Sequence, residues 1–214
     1  MESSPDRNTP SRRGTLFVVS APSGAGKTSL VKALLDASPG LEVSISHTTR
    51  AMRPGEQDGV HYHFVDTERF QELVRADGFL EHATVFDHHY GTSRGGVEAS
   101  LESGRDVILE IDWQGARQVR TAMPDCRSVF ILPPSREVLE QRLRARAQDA
   151  EAVIQRRLGE AQAEMSHHGE FDYLVVNDDF DQALSELLAI VTADRLRMPR
   201  QRVEREALIR ALLA

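Results

Sequence analysis

The octapeptide Ala21-Pro22-Ser23-Gly24-Ala25-Gly26-Lys27-Thr28 constrains the fold more tightly than any other segment of the chain. It matches the phosphate-loop spacing G-x-x-x-x-G-K-[ST], with alanine in the first position. The apolar run Thr15-Leu16-Phe17-Val18-Val19-Ser20 stands before it. Leu30, Val31, Leu34 and Leu35 recur after it at helical spacing. Strand, glycine loop and helix is the context the motif requires, and it favours a phosphate loop over the alternative, an ordinary glycine turn ahead of a helix. Small residues let the backbone N–H groups converge on phosphate oxygens at the positive end of the helix dipole. Lys27 would then reach the β/γ-phosphates, and the Thr28 hydroxyl would take a place on Mg²⁺.

Outward from the loop, Ser38-Pro39-Gly40 stops the first helix, and residues 41–46 alternate like a short strand. From His47 to about Gly96 the texture changes to histidines, glycines and isolated aromatics. A helix is expected over 67–76 and strand pieces at 62–65 and 83–86, which together read as an inserted α+β subdomain. Residues 94–103 are helix-like and lead to Asp106-Val107-Ile108-Leu109-Glu110-Ile111-Asp112, a buried-strand pattern whose carboxylate end should face the phosphate loop. Residues 127–132 form another apolar strand stopped by Pro133-Pro134, with Ser135 as a helix cap. An arginine- and alanine-rich helical arm follows over 136–158, bends at Gln148-Asp149 and continues to about His167. Tyr173-Leu174-Val175-Val176-Asn177 gives the last core strand. Residues 178–214 read as amphipathic helix interrupted at Pro199. Strands alternating with helices imply an α/β fold, a parallel sheet with helices on both faces.

With 214 residues, the chain accommodates one α/β domain with insertions. Its formal net charge of −7 argues against a general binder of nucleic acid or anionic membranes. One cysteine, Cys126, allows no internal disulfide, fits a reducing cytoplasm and reads as a core thiol. Residues 1–13 read as a disordered tail without a signal peptide, and no apolar run approaches membrane-spanning length. The eight histidines lack the cysteine partners or helical spacing of a zinc site.

The inserted segment opens with Ser46-His47-Thr48-Thr49-Arg50-Ala51-Met52-Arg53-Pro54-Gly55-Glu56. Two arginine forks among hydroxyls suit a second phosphate-bearing ligand, and read equally well as solvated surface charge. Tyr62, Glu81 and Tyr90-Gly91-Thr92 add phenol, carboxylate and hydroxyl groups. By composition alone Glu81 is also readable as an exposed carboxylate. On the helical arm, Arg142 and Arg146 are four apart on one face, while Leu139 and Leu143 make a separate apolar stripe.

Ser46 through Glu56, Phe79-Leu80-Glu81, Tyr90-Gly91-Thr92, Ile111-Asp112-Trp113-Gln114-Gly115 and Val176-Asn177-Asp178-Asp179, in this order, resemble guanylate kinase. The resemblance runs from about Gly14 to Arg197 and implies the phosphate-loop nucleoside monophosphate kinase fold. Its implied parts are a core (14–46, 97–135, 159–197), a GMP-binding subdomain (47–96), a lid (136–158) and a C-terminal helix (198–214). It implies reversible transfer of the γ-phosphoryl of ATP to GMP with Mg²⁺. Arg50, Arg53, Tyr62 and Tyr90 would hold the GMP phosphate, and Ser46, Glu81 and Thr92 would read guanine. Glu110 and Asp112 would hold metal-bound water or a substrate group. Lys27, Arg142, Arg146 and Arg157 would act on the triphosphate, and Asn177 would belong to the ATP side. Ala145 and Ala147 stand where the family often has glycines, which bears on lid flexibility. The partners implied are small molecules; a homo-oligomer is compatible.

The chemistry suits guanine on its own terms. A single carboxylate can accept from both N1–H and N2–H, and a hydroxyl can donate to O6, whereas adenine inverts this pattern.

Overall fold

The structure, a computed structural model, describes residues 13–85, 87–146 and 151–214. The expected tail up to Arg12, Phe86, Ala147, the bend at Gln148-Asp149 and the side chain of Arg146 lie outside the described residues.

In chain order the elements are β1 (Leu16–Ser20), α1 (Lys27–Ala37), β2 (Leu41–Val43), β3 (His47–Thr48), β4 (His63–Phe64), α2 (Thr67–Arg75), β5 (Phe79–Val85) and β6 (His88–Ser93). After these come α3 (Arg94–Glu102), β7 (Asp106–Glu110), α4 (Trp113–Ala122), β8 (Arg127–Leu132), α5 (Arg136–Arg146), α6 (Glu151–Met165) and β9 (Tyr173–Val176). The chain closes with α7 (Phe180–Arg195), α8 (Met198–Glu204) and α9 (Glu206–Leu213).

Two sheets result. The first is parallel throughout in the order β2-β7-β1-β8-β9. The second, β4-β3-β6-β5, is mixed and is built entirely from the segment between β2 and β7.

Period-two alternation divides the central strand between two cores. Phe17 and Val19 of β1 enter a cluster with Leu30, Val31 and Leu34 of α1 and Leu187 and Val191 of α7. Leu16 and Val18 point the other way, onto Val97 and Leu101 of α3 and Val119 of α4. Both faces of the parallel sheet are therefore covered, which is why its strands are apolar runs with few polar interruptions. Cys126 is buried in the second cluster, and burial pushes its thiol above the ordinary value. Asp66, Ser93, Asp112 and Asp179 cap the N-termini of α2, α3, α4 and α7, each accepting a backbone N–H three residues on. Ser135 does the same for Val138 at the start of α5.

Some boundaries differ from the sequence reading. The strand expected over 41–46 ends at Val43, because the chain leaves the first sheet to begin the second at His47. β6 sits inside a histidine- and glycine-rich stretch without strand-like composition. Its backbone is fixed by pairing with β5 on one side and β3 on the other. α4 carries Gly115, a weak helix former, and is helical because Asp112 caps it and Val119 anchors it. Pro199 falls in the first turn of α8, where its missing N–H costs nothing, so it begins a helix after the break at Arg197.

His47, His82 and His89 of the second sheet pack on phenylalanines. His89 stacks on Phe70 at 5.2 Å and His47 meets Phe79 edge-on at 5.5 Å. At the end of the parallel sheet where β7 begins, fully buried Asp106 accepts from Thr15 N at 2.8 Å, Arg195 Nε at 2.8 Å and Arg200 Nη1 at 2.8 Å. This carboxylate ties α7 and α8 to β1 and β7.

Candidate active site

The phosphate loop leaves β1 at its C-terminal end and enters α1 at Lys27. Gly24 and Gly26 have φ of 90° and 92°, left-handed values that a Cβ would strain. At Gly26 a Cβ would also lie 2.4 Å from Asn177 Nδ2. That approach is used: Asn177 Nδ2 donates to Ala25 O at 2.7 Å, and Arg142 Nη2 donates to Asn177 O at 3.0 Å. The end of β9 and helix α5 are thereby fastened to the loop. Leu139 and Leu143, the apolar stripe of α5, pack against Gly24 and join Ile154, Leu158 and Ala161 of α6 in a third core.

A cavity of about 240 Å³ opens over the loop, lined by residues 21–24 and 26–29 with Asp112 and Glu164. Lys27 Nζ donates to Ile111 O at 3.2 Å, which holds the ammonium at the C-terminal end of β7. Burial pushes Lys27 below its ordinary value, and the carboxylates of Glu110, Asp112 and Glu164 pull against that shift. A desolvated cation facing three carboxylates is poised to take on a polyanion. Thr28 lines the same cavity, with the Asp112 carboxylate as a further oxygen ligand. Hard oxygen donors of this kind fit a Mg²⁺ that keeps most of its waters.

Most of the sequence-derived residues for the second ligand lie on or beside the second sheet, while Glu110 ends β7. Glu81 on β5 is only 6% exposed, and its Oε1 accepts from Thr92 Oγ1 at 2.6 Å across the β5–β6 pair. Burial raises its pKa, the Thr92 hydroxyl partly offsets this, and the Asp112 charge adds to the rise. The charge of Asp112 thus acts on both Glu81 and Lys27, which places the start of α4 between the two halves of the site. Because Thr92 donates its only hydroxyl hydrogen to Glu81, it orients the carboxylate rather than offering a donor of its own. Ser46, half-buried just before β3, is the remaining hydroxyl of the trio.

Arg50 forms a bidentate pair with Glu56, at 2.7 Å and 3.0 Å, and lies 5.4 Å from the Tyr62 ring centroid. This partner, six residues away beside the Pro54-Gly55 turn, fixes the orientation of the planar guanidinium. The pairing lowers the Glu56 pKa to about 2. Arg53 donates its backbone N–H to the same carboxylate at 2.7 Å and leaves its side chain exposed. Tyr62 and Tyr90 meet edge-on at 6.0 Å. Arg157 lies half-buried on α6.

Three features of the site were not anticipated. Gln118 of α4 exchanges two hydrogen bonds with the backbone of His82, both 3.1 Å, so the core helix grips β5 beside Glu81. Gly115 permits this approach, since a Cβ there would stand 3.0 Å from Glu81 Oε2. Glu164 donates no sequence signal at all: it is one glutamate on a charged helix, 141 residues from the Ser23 amide it reaches.

A parallel sheet with a glycine loop at its switch point, a second mixed sheet carrying a buried carboxylate, and a helical pair over the loop define a phosphate-loop kinase of the nucleoside monophosphate type. The guanylate kinase family model matches residues 13–194. The chain is 65% identical over 188 residues to a guanylate kinase of Alkalilimnicola ehrlichii, covering 88% of this chain and 93% of that one. It is 57% identical to a guanylate kinase of Vibrio cholerae, over 94% and 99% of the two chains. The solved guanylate kinase of Anaplasma phagocytophilum superposes with a TM-score of 0.71 at 34% identity, over 89% and 90% of the two chains. The protein belongs to the guanylate kinase family.

Proposed function

We propose that this protein transfers the γ-phosphoryl group of ATP to GMP, reversibly, giving ADP and GDP. The observation that carries the guanine specificity is Glu81, a buried carboxylate with one oxygen held by Thr92 and the other against Gly115. Ionised, it accepts from guanine N1–H and N2–H together, and Ser46 supplies a donor for O6. Adenine would meet this edge with an unpaired acceptor, a mismatch that a polar site rejects strongly.

Arg50, Arg53, Tyr62 and Tyr90 hold the GMP phosphate. Arg50 reaches it by exchanging one fork for another, Glu56 for phosphate, so its guanidinium is already oriented before substrate arrives. Glu110 and Asp112 flank the acceptor at the junction of the two sheets.

On the donor side the amides of residues 23–28 and the N-terminus of α1 cradle the β- and γ-phosphates, with Asn177 bracing the loop at Ala25. Thr28 would hold Mg²⁺, which would supply charge neutralisation for the bound triphosphate. Lys27 stabilises charge that develops on the transferring group, and Arg142, Arg146 and Arg157 of the helical arm complete the cage. Closure of 47–96 and 136–158 around both nucleotides excludes water that would otherwise hydrolyse ATP. No side chain need act as a covalent nucleophile. The single cysteine favours the cytoplasm as the place of action.

A coupled assay of ADP release with GMP, AMP, CMP and UMP tests the proposal. Turnover with GMP and little with the other three is expected; equal turnover with AMP, or none with GMP, overturns it.

A further inference from the structure

Glu164 places a carboxylate where a phosphate-binding loop would be expected to reject one. It sits one residue before the end of α6, and its Oε2 accepts from the backbone N–H of Ser23 at 3.2 Å. It lines the cavity over the loop together with Lys27 and Thr28. The charge of Lys27 favours its carboxylate, and those of Asp112 and Glu160 oppose it. An amide of the loop and the loop lysine are the partners a nucleotide phosphate takes in such a site.

We infer that Glu164 occupies part of the triphosphate site as an internal anion, which the nucleotide must displace before the loop can close on its phosphates. Two observations beyond the contact support this. Glu164 is half-buried, and burial raises its carboxyl above the ordinary range, only partly offset by Ser23 and Lys27. It also belongs to α6, which packs on α5 through Leu139, Leu143, Ile154 and Leu158, and α5 in turn holds the loop through Arg142. Expelling the carboxylate therefore moves against the helical arm that carries Arg157. Binding of the triphosphate and rearrangement of that arm become one event. With no nucleotide present, the same carboxylate accepts from the Ser23 amide and adds its charge to those of Glu110 and Asp112 around Lys27.

The inference rests on the reading of residues 21–28 as the triphosphate site, and the experiment separates the two. Calorimetric titration of the whole chain with ADP and with inorganic tripolyphosphate, each with Mg²⁺, compares wild type with Glu164→Gln and Glu164→Ala. Removing a like charge at contact range should tighten both ligands roughly ten- to a hundredfold in Glu164→Ala. Glu164→Gln keeps an acceptor for Ser23 but not the charge, and should fall between. Tighter tripolyphosphate binding has no explanation in a merely structural role, since loss of a scaffold weakens ligands. Unchanged or weaker binding in both variants overturns the inference and makes Glu164 a brace of the loop. Failure of wild type and variants alike to bind either ligand overturns the triphosphate site itself.

Discussion

Replacing Glu81 with glutamine tests the base-reading geometry most directly. The carboxylate has two oxygens in different surroundings, Oε1 taking the Thr92 hydroxyl at 2.6 Å and Oε2 lying against Gly115. Glutamine must put its amide nitrogen in one of these places. If the nitrogen faces Thr92, the hydroxyl must turn to accept, and a single neutral oxygen remains for two guanine N–H groups. If the nitrogen faces guanine instead, donor meets donor. Either way one charge-assisted contact is lost and another weakened, about 1.5–4 kcal/mol, or roughly ten- to a thousandfold in kcat/KM for GMP. Activity on AMP should fall less or rise slightly, because an amide N–H can face adenine N1; Ser46 still favours a keto group, so no full switch is expected. The assay is kcat/KM for both nucleotides at saturating MgATP. An unchanged GMP/AMP ratio would refute the assignment of Glu81 to the base. The same substitution should raise Tm at neutral pH. The folded pKa of Glu81 is raised, so its contribution is favourable below the ordinary carboxyl range and is lost as pH rises through the raised value. A neutral isostere does not incur that loss, and a Tm equal to or below wild type at pH 7 would count against it.

Lys27→Ala should lower kcat by at least about a hundredfold with unaltered far-ultraviolet circular dichroism, since it acts on charge developing at the β/γ bridge; a near-normal kcat would remove Lys27 from the chemistry. Arg50→Ala should raise KM for GMP far more than for ATP, by a contact worth about 1.5–3 kcal/mol, and equal effects on both would make Arg50 a brace for the turn at Glu56. Asp106→Ala should destabilise the fold by about 3–5 kcal/mol in urea unfolding, because it removes the buried carboxylate shared by Arg195 and Arg200, 8% exposed, and leaves Arg200 only Glu204 as an anionic partner. Burial pushes the Asp106 carboxyl up, but the Arg200, Thr15 and Arg195 donors outweigh it and its pKa is lowered. Its stabilisation is therefore present above the ordinary carboxylate range and lost as pH falls through the lowered value, and a variant whose stability tracks wild type through that acid window would refute this role.

The chain declares its phosphate loop, its apolar strands and most of its helices by itself, because these depend on local features: glycines at positions of left-handed φ, period-two and period-3.6 patterns, and side-chain caps at the starts of α2, α3, α4 and α7. The residues of the site are also legible as types, since Lys27, Arg50, Glu81 and Thr92 stand in motifs. Their states are not. That Thr92 spends its hydrogen on Glu81, that Arg50 is held by Glu56, and that α4 grips β5 through Gln118 follow from which backbones meet, and β6 and α4 themselves owe their conformations to such meetings. Glu164 is the extreme case. Nothing within a turn of it distinguishes it from its charged neighbours, and only the packing of α6 on α5 brings it to Ser23. Local sequence determines which conformations are inexpensive, whereas burial and long-range contact determine which charges lose their water, and the electrostatics of this site depend on the second.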